Sequence, residues 1–78
     1  MEIKILGTGC AKCKTLEKLT REVVDRNGIQ ATINKVVDIT EIMKYHIMST
    51  PALVVNGNVE IKGRVPSASE IKEVLSKY

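Results

Sequence analysis

The 78-residue chain has no tryptophan or phenylalanine, and two tyrosines are its only aromatic residues. It therefore lacks the stacking platform of a protein that binds single-stranded nucleic acid. Its longest uninterrupted apolar run is residues 52–55, far short of the roughly 20 residues that span a membrane. The opening MEIKIL also lacks the basic and long apolar segments of a secretory signal. We expect a cytoplasmic protein with no nucleic-acid partner and no membrane partner.

Cysteine is scarce as well, because Cys10 and Cys13 are the only two. A secreted disulfide scaffold would carry more cysteines at wide spacings. A bridge between these two would close a very small loop and would stabilise the fold little by restricting the unfolded chain. We therefore interpret the pair as a reactive site and not as a structural disulfide.

The apolar residues that are present make up 44% of the chain and are mostly aliphatic. This fraction is sufficient for one compact domain, which we place at residues 1–78, and the β-branched side chains favour strands. Alternation predicts strands at residues 2–6 and 30–37. Helical spacing predicts helices over residues 10–27 and 38–46, the second with a capping box and one apolar face. The capping box is Asp38 with Glu41, and the face carries Ile39, Ile42 and Met43.

In the second half of the chain, Asn56-Gly57 separates two apolar runs, residues 52–55 and 58–62, and predicts a hairpin. Ser67 and Glu70 form the capping box of a last helix. The predicted order is β1-α1-β2-α2-β3-β4-α3. A βαβ unit makes its two strands parallel, and the hairpin adds an antiparallel pair. We expect an α/β fold in which a four-stranded mixed sheet carries helices on both faces.

The two cysteines coincide with the start of the first predicted helix. Residues three apart on a helix lie about 5–6 Å from each other, which is within reach of a disulfide. The unpaired N–H groups and the positive dipole end of the helix stabilise a thiolate, the reactive form of cysteine. Cys10, the more exposed residue, suits a nucleophile, and Cys13, on the apolar stripe, suits a resolving thiol.

A metal site is the main alternative for these thiols. The run Gly-Thr-Gly-Cys-Ala-Lys-Cys is superficially similar to the loop of heavy-metal-associated domains, but their βαββαβ order does not fit this chain. No second cysteine pair or histidine pair completes a tetrahedral zinc site, whereas copper-type binding by two thiolates remains open. Lys12 and Lys14 oppose the helix dipole, so they either support the thiolate and attract acidic partners or are simply solvated.

Taken together, Cys-x-x-Cys after the first strand, Thr50-Pro51 before a later strand, the hairpin and the terminal helix resemble the thioredoxin family. The resemblance covers the whole chain and is closest to the small, glutaredoxin-sized redox proteins of archaea and bacteria. It implies a thioredoxin-like fold in which Cys10 attacks and Cys13 resolves. It also implies a cis peptide bond at Pro51 and a backbone at Thr50 that pairs with an extended substrate peptide.

The chain departs from that family next to the cysteines. Gly9 stands where thioredoxins have tryptophan, and Ala11-Lys12 stands where they have Gly-Pro. Lys4 replaces a buried acid that serves proton transfer to the resolving thiol, and we hypothesise that it either lowers the pKa of Cys13 or extends to the surface. We further expect His46 to end a helix in the left-handed conformation. Met43 and Met48 are expected to fill core or rim space.

The resemblance implies a protein-disulfide reductase that needs no cofactor or metal beyond its reversible Cys10–Cys13 disulfide. Its partners would be a disulfide-containing target protein and an electron donor, which is either a thioredoxin-reductase-like protein or a low-molecular-weight thiol. We expect a monomer. The alternative function is a two-thiolate, copper-type metal carrier or a redox-sensing binding module.

Overall fold

The computed structural model describes residues 1–78, and its seven elements follow in the predicted order. The strands and helices are β1 (Glu2–Leu6), α1 (Ala11–Arg26), β2 (Thr32–Val36), α2 (Ile39–Met43), β3 (Ala52–Val55), β4 (Asn58–Lys62) and α3 (Ala68–Leu75). The second strand and the second helix are shorter than predicted. No helix combines the length and the apolar character that crossing a membrane requires.

The four strands form one mixed sheet in the order β2-β1-β3-β4, which confirms the predicted fold class. Strand β1 is parallel to β2 and antiparallel to β3, and β3 is antiparallel to β4. In the β1–β3 register, Leu6 at the end of β1 lies opposite Ala52 at the start of β3. The loop that leaves β1 therefore meets the segment that enters β3 at one edge of the sheet.

The helices pack on both faces of the sheet, as predicted. On one face, α1 and α3 cover Ile3 and Ile5 of β1 in a cluster that also contains Leu16 and Ile71. On the other face, α2 packs on the sheet through Ile42. The smaller cluster there has four buried members, Leu6, Ile42, Ala52 and Val54. All four residues of β3 are buried, as expected for a strand covered on both sides.

The predicted apolar face of α2 is wrong. Ile42 is buried, but Ile39 and Met43 are 62% and 65% exposed. A helix of five residues makes less than two turns, so only one of its side chains reaches the sheet. The expected core or rim role of Met48 is also wrong, because that side chain is 99% exposed.

The predicted turns and caps are present in part. Asn56 and Gly57 both have positive φ, 49° and 85°, as a two-residue hairpin with the type I′ twist requires. Ser67 caps α3 by accepting a hydrogen bond from the Glu70 N–H at 3.2 Å. The Glu70 carboxylate pairs with Arg64, and together with a smaller contribution from the Ser67 backbone N–H this pairing lowers the pKa of Glu70, in keeping with the predicted capping box.

The other predicted cap, at the start of α2, is present only in part. The Asp38 carboxylate accepts a hydrogen bond from the Thr40 N–H at 2.8 Å, whereas Glu41 pairs with Lys44. His46 has φ 58° and donates its N–H to the Met43 carbonyl oxygen at 3.0 Å. The histidine therefore ends the turn after α2 in the left-handed conformation, as expected.

The burial of β3 leads to a stability prediction. We expect Leu53→Ala, at a fully buried position, to lower the free energy of unfolding by about 2–5 kcal/mol, a large part of the 5–15 kcal/mol typical of a domain. Met48→Ala, at an almost fully exposed position, should change it by less than about 0.5 kcal/mol. Urea unfolding followed by circular dichroism measures both values. Equal losses for the two variants would contradict the placement of Met48.

Candidate active site

The two cysteines lie at the amino end of α1, which starts immediately after a glycine-containing loop. Cys10 is the N-cap, with extended backbone angles, and its Sγ accepts a hydrogen bond from the Cys13 N–H at 3.2 Å. Gly9 precedes it with φ 89°, a conformation that suits glycine. A sulfur thus occupies the position where helices usually place a hydroxyl or carboxylate oxygen. The N–H groups of the first turn favour a negative charge on that sulfur.

Cys10 and Cys13 are joined by a disulfide, and their Cα atoms are 5.1 Å apart. This separation is within the usual range for a disulfide, so the backbone at the helix start already suits the bond. Cys10 is exposed and Cys13 is 6% exposed. A target molecule can therefore reach Cys10 directly, while Cys13 can be reached mainly through its partner sulfur.

Gly7 contacts Cys13 so closely that no side chain fits there. A Cβ placed on Gly7 would lie 2.2 Å from Cys13 Sγ and 3.0 Å from Cys13 Cβ. The Gly7 N–H donates to the Val36 carbonyl oxygen at 3.0 Å, so the backbone cannot simply move away. Our sequence reasoning missed this role, and its only signal is a glycine directly after the buried end of β1.

Thr50 and Pro51 lie beside the cysteines, where the β1–β3 register brings them. The Thr50–Pro51 peptide bond is cis, and Thr50 Cβ is 4.0 Å from the position a Cβ on Gly7 would take. Pro51 is buried, and its carbonyl oxygen accepts a hydrogen bond from the Gly63 N–H at 2.8 Å. Thr50 is exposed, and its backbone takes part in none of the hydrogen bonds outside the helices and strands. Its N–H and carbonyl groups therefore have no backbone partner within the chain.

Lys4 lies on the opposite face of the sheet from α1. Its ammonium donates to the Tyr45 hydroxyl at 3.2 Å and lies 3.5 Å from the Glu2 carboxylate. The hydrogen bond to Tyr45, with a smaller contribution from Glu2, raises the pKa of Lys4 above its ordinary value. Tyr45 packs against the cluster around α2, whereas the helix that carries Cys13 packs on the other side. The observed partners of Lys4 are thus Tyr45 and Glu2.

The remaining residues predicted to modulate the site flank Cys10. Ala11 and Lys12 begin α1 and are exposed, and Lys12 forms no ion pair within the chain. With Gly9 on the other side, small or flexible groups surround the exposed sulfur. No three side chains among histidine, cysteine, aspartate and glutamate are grouped so that they could hold a metal ion.

The contact between Gly7 and Cys13 leads to a prediction about the redox equilibrium. In Gly7→Ala the new methyl group would displace Cys13 Sγ from its position in the disulfide, and overpacking of this kind typically costs about 1–3 kcal/mol. A reduced Cys13 can rotate away, so we expect the reduction potential to rise by about 20–60 mV. Equilibration with dithiothreitol or glutathione buffers, followed by mass spectrometry of alkylated thiols, measures it. Thr8→Ala, in the same loop, is the matched control, and equal potentials for all three proteins would contradict the steric role of Gly7.

Known proteins are similar in sequence to nearly the whole chain. A thioredoxin domain family profile matches residues 1–76, which include both cysteines and Thr50-Pro51. Thioredoxin from Methanothermobacter thermautotrophicus is 45% identical over 76 residues, which cover 97% of this chain and 99% of that protein. Thioredoxin from Methanocaldococcus jannaschii is 38% identical over 76 residues, covering 97% of this chain and 87% of that protein. The chain therefore belongs to the thioredoxin family.

Proposed function

We infer that this chain is a thiol–disulfide oxidoreductase that reduces disulfide bonds in proteins. The observation that carries the inference is the Cys10–Cys13 disulfide at the N-cap of α1, in a chain that shares 45% of its residues with an archaeal thioredoxin. The disulfide itself stores the two electrons when it is reduced to two thiols. No further cofactor enters the chemistry described below.

The first step uses the exposed sulfur at the helix start. The Cys10 thiolate attacks one sulfur of the target disulfide and forms a mixed disulfide with it. The bond between the two target sulfurs breaks, and the released target thiolate takes a proton from water. The Cys13 N–H, which donates to Cys10 Sγ, and the helix dipole supply the local stabilisation of the attacking thiolate.

The second step uses the buried sulfur. Cys13 loses its proton and attacks Cys10 Sγ, and the bond between Cys10 and the target breaks as the Cys10–Cys13 disulfide forms. The target leaves with both of its sulfurs reduced, so two electrons have passed from the protein to the target. The 5.1 Å separation of the Cα atoms permits ring closure without rebuilding the helix. A reductase or a low-molecular-weight thiol then returns the pair to the dithiol.

Target recognition is proposed to occur at Thr50 and Pro51. Thr50 is exposed close to Gly7, the residue that contacts Cys13, and its unpaired backbone groups can add an extended target segment through main-chain hydrogen bonds. Such recognition reads backbone more than side chains and therefore suits a reductase with several targets. Gly9 and Ala11 leave Cys10 open to a bulky protein substrate, and Lys12 adds a positive charge that favours acidic targets.

Replacing each cysteine separately tests the assignment of the two roles. We expect Cys10→Ser and Cys13→Ser each to lower the reduction of insulin disulfides by dithiothreitol to the uncatalysed rate. Only Cys13→Ser should accumulate a covalent adduct with the target, because it can attack but cannot resolve. Mass spectrometry under non-reducing conditions detects that adduct. An adduct that forms with Cys10→Ser instead would reverse the assigned roles.

A redox titration separates this function from metal carriage by two thiolates. We expect one reversible two-electron transition, at roughly −200 to −270 mV if the pair behaves as glutaredoxins and thioredoxins do. Purified protein should contain no stoichiometric metal, and added copper(I) should not be needed for activity. Stoichiometric copper or zinc that protects both thiols from alkylation would support the metal carrier instead.

A further inference from the structure

The second step of the proposed reaction requires Cys13 to lose a proton, although this residue is only 6% exposed. Burial in apolar surroundings disfavours a thiolate, so the proton needs an acceptor nearby. Lys4 is the residue whose effect on Cys13 the sequence left open. Lys4 cannot accept a proton as an ammonium ion, and its observed partners, Tyr45 and Glu2, lie away from the helix that carries Cys13.

A small cavity beside Cys13 contains a different carboxylate. The cavity has a volume of about 60 Å³, and its walls include Gly7, Cys13, Lys14, Glu17 and Lys35. Most of its lining is apolar, and Lys14, Glu17 and Lys35 supply the polar partners that ordered water needs in a cavity of this size. Glu17 is the one acidic residue that lines it.

Helix geometry directs Glu17 toward Cys13. The two residues are four apart on α1, so their side chains lie on the same side of the helix, about 5–6 Å apart at Cβ. The Glu17 side chain is only 18% exposed, which is low for a carboxylate. Its position on the helix thus places the carboxylate on the Cys13 side of α1, in the wall of the same cavity and still within reach of solvent.

Two cations keep the Glu17 carboxylate in place. Arg21 donates to Oε2 from Nε at 3.1 Å and from Nη2 at 3.0 Å, so this oxygen is fully engaged. Oε1 has only the longer contact with the Lys35 ammonium, at 3.7 Å. This second oxygen therefore retains the capacity to accept a further hydrogen bond from the direction of the cavity.

We propose that Glu17 is the proton acceptor for Cys13 and that Lys35 stabilises the resulting thiolate. The proton passes from Cys13 Sγ through water in the cavity to Glu17 Oε1, and from there to solvent. The thiolate then attacks Cys10 Sγ of the mixed disulfide, the bond from Cys10 to the target breaks, and the target thiolate takes up a proton. No oxidant or reductant is needed beyond the two cysteines and the target.

The charges around the cavity favour this transfer. Before it, Lys35 faces a negative carboxylate; after it, the carboxylate is neutral and the same ammonium faces a negative sulfur. The number of charges is unchanged, so the transfer does not leave an uncompensated charge beside the apolar core. Lys14, which also lines the cavity, adds a second cation that favours the thiolate. Arg21 binds the other carboxylate oxygen, Oε2. Lys4 contacts Tyr45 on the opposite face of the sheet.

The inference rests on the proposed function, and one experiment examines both. Reduced protein in slight excess is mixed with 5,5′-dithiobis(2-nitrobenzoate), and release of the coloured thiolate is followed by stopped flow. The first phase reports attack by Cys10, and the second phase reports attack by Cys13 on the mixed disulfide. A first phase that depends on Cys10 and a second phase that vanishes in Cys13→Ser support the proposed function. If either phase does not depend on the cysteine assigned to it, the proposed function is overturned, and so is the proposed role of Glu17.

The Glu17 variants then test the proton transfer from Cys13 to Glu17 alone. We expect Glu17→Gln to slow the second phase by about 10²-fold or more near pH 7 and to leave the first phase unchanged. The loss should shrink at higher pH, where bulk solvent removes the proton, a trend that a purely structural role would not produce. Glu17→Asp keeps a carboxylate and should recover most of the rate. Glu22→Gln removes the same charge from α1 outside the cavity and should behave as the unmodified protein.

Lysine variants provide a second and independent measurement. Lys35→Met, at an exposed position on an edge strand, should slow the second phase by about 2- to 5-fold, the effect of an exposed ion pair. Lys18→Met is its control, because Lys18 is exposed on α1 and does not line the cavity. A second phase in Glu17→Gln within about twofold of the unmodified protein near pH 7 overturns the proposal. So does a loss in Lys4→Met that Glu17→Gln does not show, since it would assign the effect to Lys4.

Discussion

The site depends above all on the antiparallel pairing of β1 with β3. Because Leu6 lies opposite Ala52, the chain leaving one strand and the chain entering the other emerge side by side. One of these segments leads to the disulfide and the other contains Thr50 and Pro51. All four residues of β3 are buried, two in the cluster on each face of the sheet, so the packing on both faces holds this strand beside β1. The core thus sets the geometry of the chemistry.

The Cys10–Cys13 disulfide is built on the N-cap of a helix. An N-cap residue normally satisfies the free N–H groups of the first turn with an oxygen. Here Cys10 Sγ accepts that hydrogen bond, so the groups that stabilise the helix also favour the thiolate that attacks a target. The chain is a thiol–disulfide oxidoreductase of the thioredoxin family, and its reactive sulfur is part of the local fold.

Most of the architecture could be predicted from periodicity and from the chemistry of turns. Asn56-Gly57 predicted the hairpin because few other residues accept positive φ at both central positions. The boundaries of α2 and the exposure of Met43 could not be predicted, because a five-residue helix follows its packing more than its own pattern. The capping box predicted at Asp38 was half right, because the Glu41 carboxylate pairs with Lys44.

Two cysteines three apart at a helix start, with Thr50-Pro51 ahead of a later strand, were enough to identify the family, because these signals depend on residue type and spacing along the chain. The redox role of the pair followed from that family. The surroundings of Cys13 depend on the packing of the folded chain. Gly7 contacts its sulfur, Glu17 and Lys35 meet it across a cavity, and Lys4 faces Tyr45 on the other side of the sheet. Glu17 lies one turn further along the same helix, but Gly7 follows β1 and Lys35 belongs to β2, so strand pairing and the packing of α1 bring these two residues to Cys13.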